Sequence, residues 1–339
     1  YDGTGNSAGG DTDPDRVSAW LASIDDAAAE LRARSGVRHV ALLGVPLGGT
    51  LAAAAAERAR ADALILFAAA ATGRTYVREV LALGRFMSAP LDPDAPAPLE
   101  DPDEQIAGFV MTRQTIAGVK ALDATTALAS VRRAFVVPRD DTGADSALAQ
   151  RLAQRGVDVE LAALPGYAAM MVDAHESVSP NTVIDGSIRW LTSHYAVSGV
   201  ESVGADARDF GLVPGPVENG VAESAATFGD DRLFGILCES HGARCETGVI
   251  LVNAGSVHTV GPGRAHVELA REWAARGIAV LRMDIGGVGD SDARFGAVDN
   301  HPYPDHAVED IASAVRWMKD RARVSRVIVA GLCSGAHAS

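Results

Sequence analysis

The sequence predicts an α/β protein built on a mostly parallel sheet, and three observations carry that expectation. Short apolar runs such as ALILFAA (63–69), VILVNAG (249–255) and IAVLRMD (278–284) have the length and continuity of strands buried on both faces. Between them lie segments with apolar residues three and four apart, such as SALAQRLAQRG and HVELAREWAARG, which read as helices. Finally, GVPLG (44–48) and GLCSG (331–335) each follow an apolar run and open a helical one, so glycine frames a strand-to-helix turn twice.

The totals bound the function. With 339 residues, 47% hydrophobic and 22% charged, the chain has globular composition and can bury a sizeable core. A net charge of −14 disfavours a nucleic-acid partner, whose phosphates attract lysine and arginine patches. Three cysteines, Cys238, Cys245 and Cys333, do not suggest a disulfide scaffold, and a reducing compartment is expected. No apolar run approaches the ~20 residues of a membrane helix. A soluble, cytoplasmic protein without a membrane partner is the resulting expectation; oligomeric state is left open.

Taken in order, the first fifty residues recur at the end of the chain. YDGTGNS (1–7) lies on DIGGVGDS (284–291), with Gly3, Gly5 and Ser7 on Gly287, Gly289 and Ser291. SGVRHVALLGVPLGGT (35–50) lies on ARVSRVIVAGLCSGAH (322–337), with Gly44 on Gly331. A helical segment that opens near an aspartate suited to capping separates each pair. In the first half ALILFAA, AFVVP (134–138) and VDVELAAL (157–164) are strands, and 178–195 is a closing helix. Residues 74–125 form an insertion with Pro-rich loops, read as a lid or a disordered patch. Residues 196–220 read as a linker, rich in Gly, Pro and acidic residues. VAESAATF and RLFGILCE then form a hairpin, followed by TGVILVNAG, a helix, IAVLRMD, another helix and RVIVAG.

This ordered set resembles the α/β-hydrolase superfamily, in particular tandem hydrolases of the serine-aminopeptidase-like type with a G-L-C-S-G-A elbow. Residues 221–339 look like the first half of such a domain, up to its nucleophile elbow. Residues 1–195 look like the second half of another copy, with elbow, insertion, acid-bearing strand, histidine loop and last helix. The resemblance implies a fragment spanning two copies; the rival is a permuted arrangement in which both halves join one sheet.

In the Gly331–Gly335 frame the middle residue is Cys333, a nucleophile or, in the plain reading, a structural cysteine. The first frame puts Pro46 there, so that copy reads as degenerate. The resemblance places oxyanion donors at Ser334 and at Gly255 or Ser256. It places the acid on PRDD, where Asp141 is favoured over Asp140. The base falls on His175, although the family usually has its histidine nearer Ala168 or Ala169. His258 reads as a loop histidine, His301 and His306 as a proline-bound loop rather than metal ligands, and Cys238 and Cys245 lack zinc spacing.

Three functions remain. The first is a hydrolase acting on a small-molecule acyl substrate, an ester, thioester or amide, through Cys333 with His175 and Asp141 and no metal or organic cofactor. The second is a catalytically incomplete hydrolase scaffold that binds a ligand or partner. The third, a nucleotide-dependent oxidoreductase, is suggested only by the glycine loop GTGNSAG.

Overall fold

A computed structural model describes residues 1–87, 104–106, 109–142, 146–195, 220–230, 232–242 and 245–339. The chain is α/β and divides into two compact units, Tyr1–Val172 with Val178–Ser198, and Asp173–Ser177 with Gly199–Ser339. The linker expectation over 196–220 lies outside the described residues, Gly220 excepted, as does most of the Pro-rich part of the insertion.

The first unit begins with α1 (Arg16–Ser35), β1 (Ala41–Gly44), α2 (Leu47–Ala55), β2 (Ala63–Phe67) and α3 (Gly73–Met87). The short antiparallel pair β3 (Glu104–Ile106) and β4 (Phe109–Met111) and then α4 (Arg113–Ala121) follow, so helix accounts for much of the described insertion. The unit closes with β5 (Arg133–Val137), α5 (Ala147–Gln154), β6 (Asp158–Leu161), α6 (Tyr167–Met170) and α7 (Asn181–His194). Strands β1, β2, β5 and β6 form one all-parallel sheet in that order.

Alternation along β2 and β5 explains their uninterrupted apolar sequence. Leu64, Leu66, Ala134 and Val136 pack one way, with Ala52, Leu148 and Leu152. Ala63, Ile65, Phe67, Phe135 and Val137 pack the other way, with Trp190 and Tyr167. Both faces are covered, as parallel sheets require. Strand β6 is shorter than the apolar run VDVELAAL suggests. It lies at the end of the sheet, with Leu161 exposed, and has a neighbour on one side only among the described residues.

The second unit opens with the hairpin β7 (Val221–Phe228) and β8 (Leu233–Ser240). It continues through β9 (Thr247–Val252), α8 (Ala265–Ala275), β10 (Ala279–Met283), α9 (Ala307–Arg321), β11 (Arg326–Gly331) and α10 (Ser334–Ala338). The sheet order is β11-β9-β10-β8-β7, parallel across its first three strands and antiparallel from β10 to β7. Ile250, Val252, Leu281 and Met283 pack with Ile311, Ala314 and Met318 of α9. Val249, Leu251 and Val280 face Ala270 and Ala274 of α8 instead.

Charge is buried in this unit too. Arg282 of β10 is fully buried; its guanidinium donates to Glu223 Oε1 at 2.7 Å, and Arg271 donates to Glu223 Oε2 at 2.6 Å. The Cys238 thiol donates to the same Oε1 at 3.2 Å, and burial pushes that thiol up to about 12. Cys238 is therefore a structural cysteine.

The capping expectation fails at both helices. Asp15 precedes α1 in a left-handed conformation and His306 precedes α9, and neither side chain caps its helix. The Asp13 carboxylate instead accepts from Gly10 N–H at 2.7 Å, inside the glycine loop. That loop also closes on itself through Gly3 N–H to the Ala8 carbonyl at 2.7 Å.

Candidate active site

The turn after β11 is tightly constrained. A Cβ on Gly331 would stand 2.2 Å from the Gly335 carbonyl carbon, and one on Gly335 would stand 2.7 Å from the Asn253 carbonyl oxygen. Only glycine lets strand and helix approach this closely. Between them Cys333 sits at φ 56°, ψ −116°, a region that L-residues avoid at about 1–3 kcal/mol. Its side chain is exposed. The turn after β1 has the same close approach, a Cβ on Gly44 falling 2.2 Å from Gly48, but Pro46 lies at φ −56°, ψ −52°, an ordinary helical conformation.

Around Cys333 the loops are held by polar side chains. Ser334 is buried, and its Oγ accepts from Gly255 N–H at 2.7 Å. Asn253, also buried, donates from Nδ2 to the Gly255 carbonyl at 2.8 Å and accepts from Ile285 N–H at Oδ1 at 3.1 Å. The Ser334 side chain thus engages the Gly255 N–H that the sequence offered as an oxyanion donor. Among the described residues, the backbone N–H groups of Ser334 and Ser256 have no protein acceptor.

The loop between β10 and α9 crosses the same region. Gly286 N–H donates to Asp310 Oδ2 at 2.9 Å, and Ser291 Oγ donates to the Asp284 carbonyl at 2.8 Å. The fully buried Asp310 also receives Arg232 at 2.6 Å and Arg294 at 3.1 Å. Asp284 is as deeply buried but less well served. One carboxyl oxygen accepts from Asp290 N–H at 3.1 Å and the Thr259 N–H also favours the charged form, whereas Oδ1 has no hydrogen-bond partner within normal geometry among the described residues. Burial pushes its carboxyl up to about 7. Farther along, Tyr303 OH lies 3.4 Å from Cys333 Sγ.

The remaining sequence candidates have their own surroundings. Asp141 is held bidentately by Arg139, at 2.9 and 2.7 Å, and this keeps its carboxyl below the usual range. The neighbouring Asp140 accepts from Gly166 N–H at 2.7 Å and Ala168 N–H at 2.8 Å, which lowers its carboxyl as well. It is Asp140, therefore, that fixes the loop where the resemblance expects a histidine. His175 is exposed, with Glu176 Oε1 4.0 Å from its Nε2. His258 is exposed, and its carbonyl accepts from Gly261 N–H at 2.9 Å. His306 faces the Gly286 carbonyl at 3.4 Å and Asp310 at 3.7 Å, and His301 Nδ1 accepts from Tyr303 N–H at 3.1 Å. No group of three metal-ligating side chains occurs among the described residues. No helix among the described residues is long and apolar enough to cross a membrane.

Sequence reasoning missed Asn253, Tyr303 and Asp310. NAGS was read for its backbone donors and HPYPDH only as a metal or proline loop. A polar residue directly after a buried strand, as in ILVN, is the signal that points to Asn253.

No family model matches the sequence, and no curated protein does. Solved structures match parts of the chain. A cold-adapted esterase from an Arctic intertidal metagenomic library is 18% identical over 36% of this chain and 55% of its own, with a TM-score of 0.29. An alpha-beta serine hydrolase homologue from Coxiella burnetii is 19% identical over 34% of this chain and 53% of its own, with a TM-score of 0.27. A Pyrococcus furiosus esterase is 20% identical over 39% and 44%, with a TM-score of 0.28. The chain thus spans about half the length of each of these structures. By its own strand order and turns, the chain is an α/β protein whose second unit presents an exposed cysteine from a strained strand-to-helix turn.

Proposed function

We propose that the chain carries the nucleophile of a hydrolase that cleaves an ester, thioester or amide of a small acyl substrate through an acyl-cysteine intermediate. One observation carries the reading: Cys333, exposed, is held at φ 56°, ψ −116° between two glycines that admit no side chain. Such a conformation persists only where neighbours over-determine it, and it aims the side chain away from the sheet.

In the proposed reaction a base removes the thiol proton and the sulfur attacks the acyl carbonyl. The S–C bond forms, and the C–O, C–S or C–N bond of the substrate breaks as the leaving group takes the proton. Water then cleaves the thioester, releasing the acid and returning the thiol. The N–H groups of Ser334 and Ser256 are the oxyanion donors favoured here, because Gly255 N–H already serves Ser334 Oγ. His175 as base belongs to the same proposal, and His175→Ala tests it separately.

The experiment is to trap the intermediate. Incubation with a p-nitrophenyl ester and rapid acid quench should add the acyl mass to the peptide bearing Cys333, and Cys333→Ala should abolish both the adduct and the p-nitrophenol release. Release that survives Cys333→Ala would sink the proposal.

A further inference from the structure

Tyr303 reaches Cys333 by a route that is fixed at each step. Its loop is anchored at Asn300, whose N–H donates to the Gly287 carbonyl at 2.7 Å and whose carbonyl accepts from Ser256 Oγ at 3.2 Å. Asn300 itself is left-handed, at φ 60°, which turns the chain back towards the elbow. His301 Nδ1 then accepts Tyr303 N–H, which leaves its other ring nitrogen to carry the proton of the neutral form. The phenol ring meets His337 of α10 edge-on, with centroids 5.8 Å apart and planes at 76°. These restraints leave the hydroxyl 3.4 Å from Cys333 Sγ, and no other side chain among the described residues hydrogen-bonds that sulfur.

We propose that Tyr303 is the positioning residue of Cys333, its phenol donating a hydrogen bond that fixes the sulfur and favours the thiolate. This rests on the reading of Cys333 as the nucleophile. A neutral thiol is a weak donor and a weak acceptor, so its bond to a phenol is worth little in either direction. A thiolate can only accept, and the bond then becomes charge-assisted. The same contact holds the Tyr303 phenol above its ordinary value, as expected of a donor whose proton is in use. The titratable groups nearby are His301 on the same loop and His337 on α10; His258, on the loop after β9, is exposed. The same loop binds Ser256 through Asn300, so it ties the sulfur's partner to a favoured oxyanion donor.

The test is alkylation of the full chain, in a Cys245→Ser background that removes the other exposed thiol. The iodoacetamide rate at Cys333 is followed against pH by peptide mass spectrometry. Tyr303→Phe keeps the ring against His337 and removes only the hydroxyl. It should slow labelling at pH 7 about fivefold, as for the loss of a charge-assisted bond at an exposed site. At a pH above the thiol titration the rate should match the parent's. An unchanged profile, or faster labelling at pH 7, would overturn the proposal, the latter because the ring would only be shielding the sulfur. Cys333→Ala supplies the reciprocal measurement: the Tyr303 phenol, read as a tyrosinate difference spectrum, should titrate lower than in the parent. An unmoved phenol would overturn the proposal too, whether or not the phenylalanine variant folds. Labelling needs no turnover. A shifted profile without an acyl adduct would therefore retain Tyr303's role and reject the hydrolase reading, and the reverse would do the opposite.

Discussion

Asp284→Asn is expected to make the second unit more stable at pH 8 and to flatten its pH dependence. The carboxyl is buried, one oxygen has no partner among the described residues, and burial pushes it from an ordinary 3.8 up to about 7. The folded state therefore keeps a proton that the unfolded chain has already released. Stability falls as pH rises from about 4 to about 7 and levels off above that. At about 1.36 kcal/mol per unit, the whole fall is on the order of 4 kcal/mol. Asparagine has no such titration. Its carbonyl oxygen can still accept from Asp290 N–H, while its amide group takes the place of Oδ1, at a pH-independent cost of about 1–3 kcal/mol. The variant should thus be weaker than the parent by up to about 1–3 kcal/mol near pH 4 and stronger by about 1–3 kcal/mol at pH 8. Urea unfolding at both pH values, read by pulsed hydrogen exchange on peptides covering β9 and β10, isolates the second unit's transition. Parallel pH profiles for parent and variant would show that Asp284 is ionised throughout and refute the reasoning.

Three other substitutions address separate links of the argument. Glu223→Ala leaves Arg282 buried without its carboxylate and should weaken the second unit by about 3–5 kcal/mol, measured by the same unfolding experiment; a loss under about 1 kcal/mol would mean that Arg271 and Arg282 find solvent instead. Cys333→Gly relieves the left-handed backbone and should raise stability by about 1 kcal/mol, net of the extra freedom glycine brings to the unfolded chain, while removing the thiol. Pro46→Ser should yield no acyl adduct at residue 46, because the backbone there is helical rather than left-handed; an adduct on that serine by mass spectrometry would contradict this.

Much of the fold was legible because burial on both faces writes itself into sequence. Ile65 and Leu66 go to opposite faces of β2, and both positions must be apolar, so the run marks the strand and its parallel class together. The glycines of GLCSG were legible for a similar reason, since a close approach tolerates nothing else. Contacts between distant residues were not. Nothing in PYP distinguishes a tyrosine beside a thiol from one in a solvated loop, because the sequence separation of 30 from Tyr303 to Cys333 is closed only by folding. Asp140 and Asp141 are adjacent and chemically alike. Which one meets Arg139 and which meets Gly166 is decided by backbone direction, which single residues do not encode.

The two glycine-framed turns also differ in what a mutation can undo. At residue 333 the clamps are Gly331 against Gly335, Gly335 against β9, and Ser334 Oγ on Gly255, and none of them involves sulfur. One substitution can therefore exchange the chemistry there, thiol for hydroxyl or for nothing, while the conformation stands ready for its return. At residue 46 the glycines still meet, but the backbone has settled into a helical well that proline's ring fixes. Restoring a side chain there does not restore its presentation. Strain at Cys333 therefore lets the side chain there be exchanged in single steps, whereas at residue 46 side chain and backbone would have to change together.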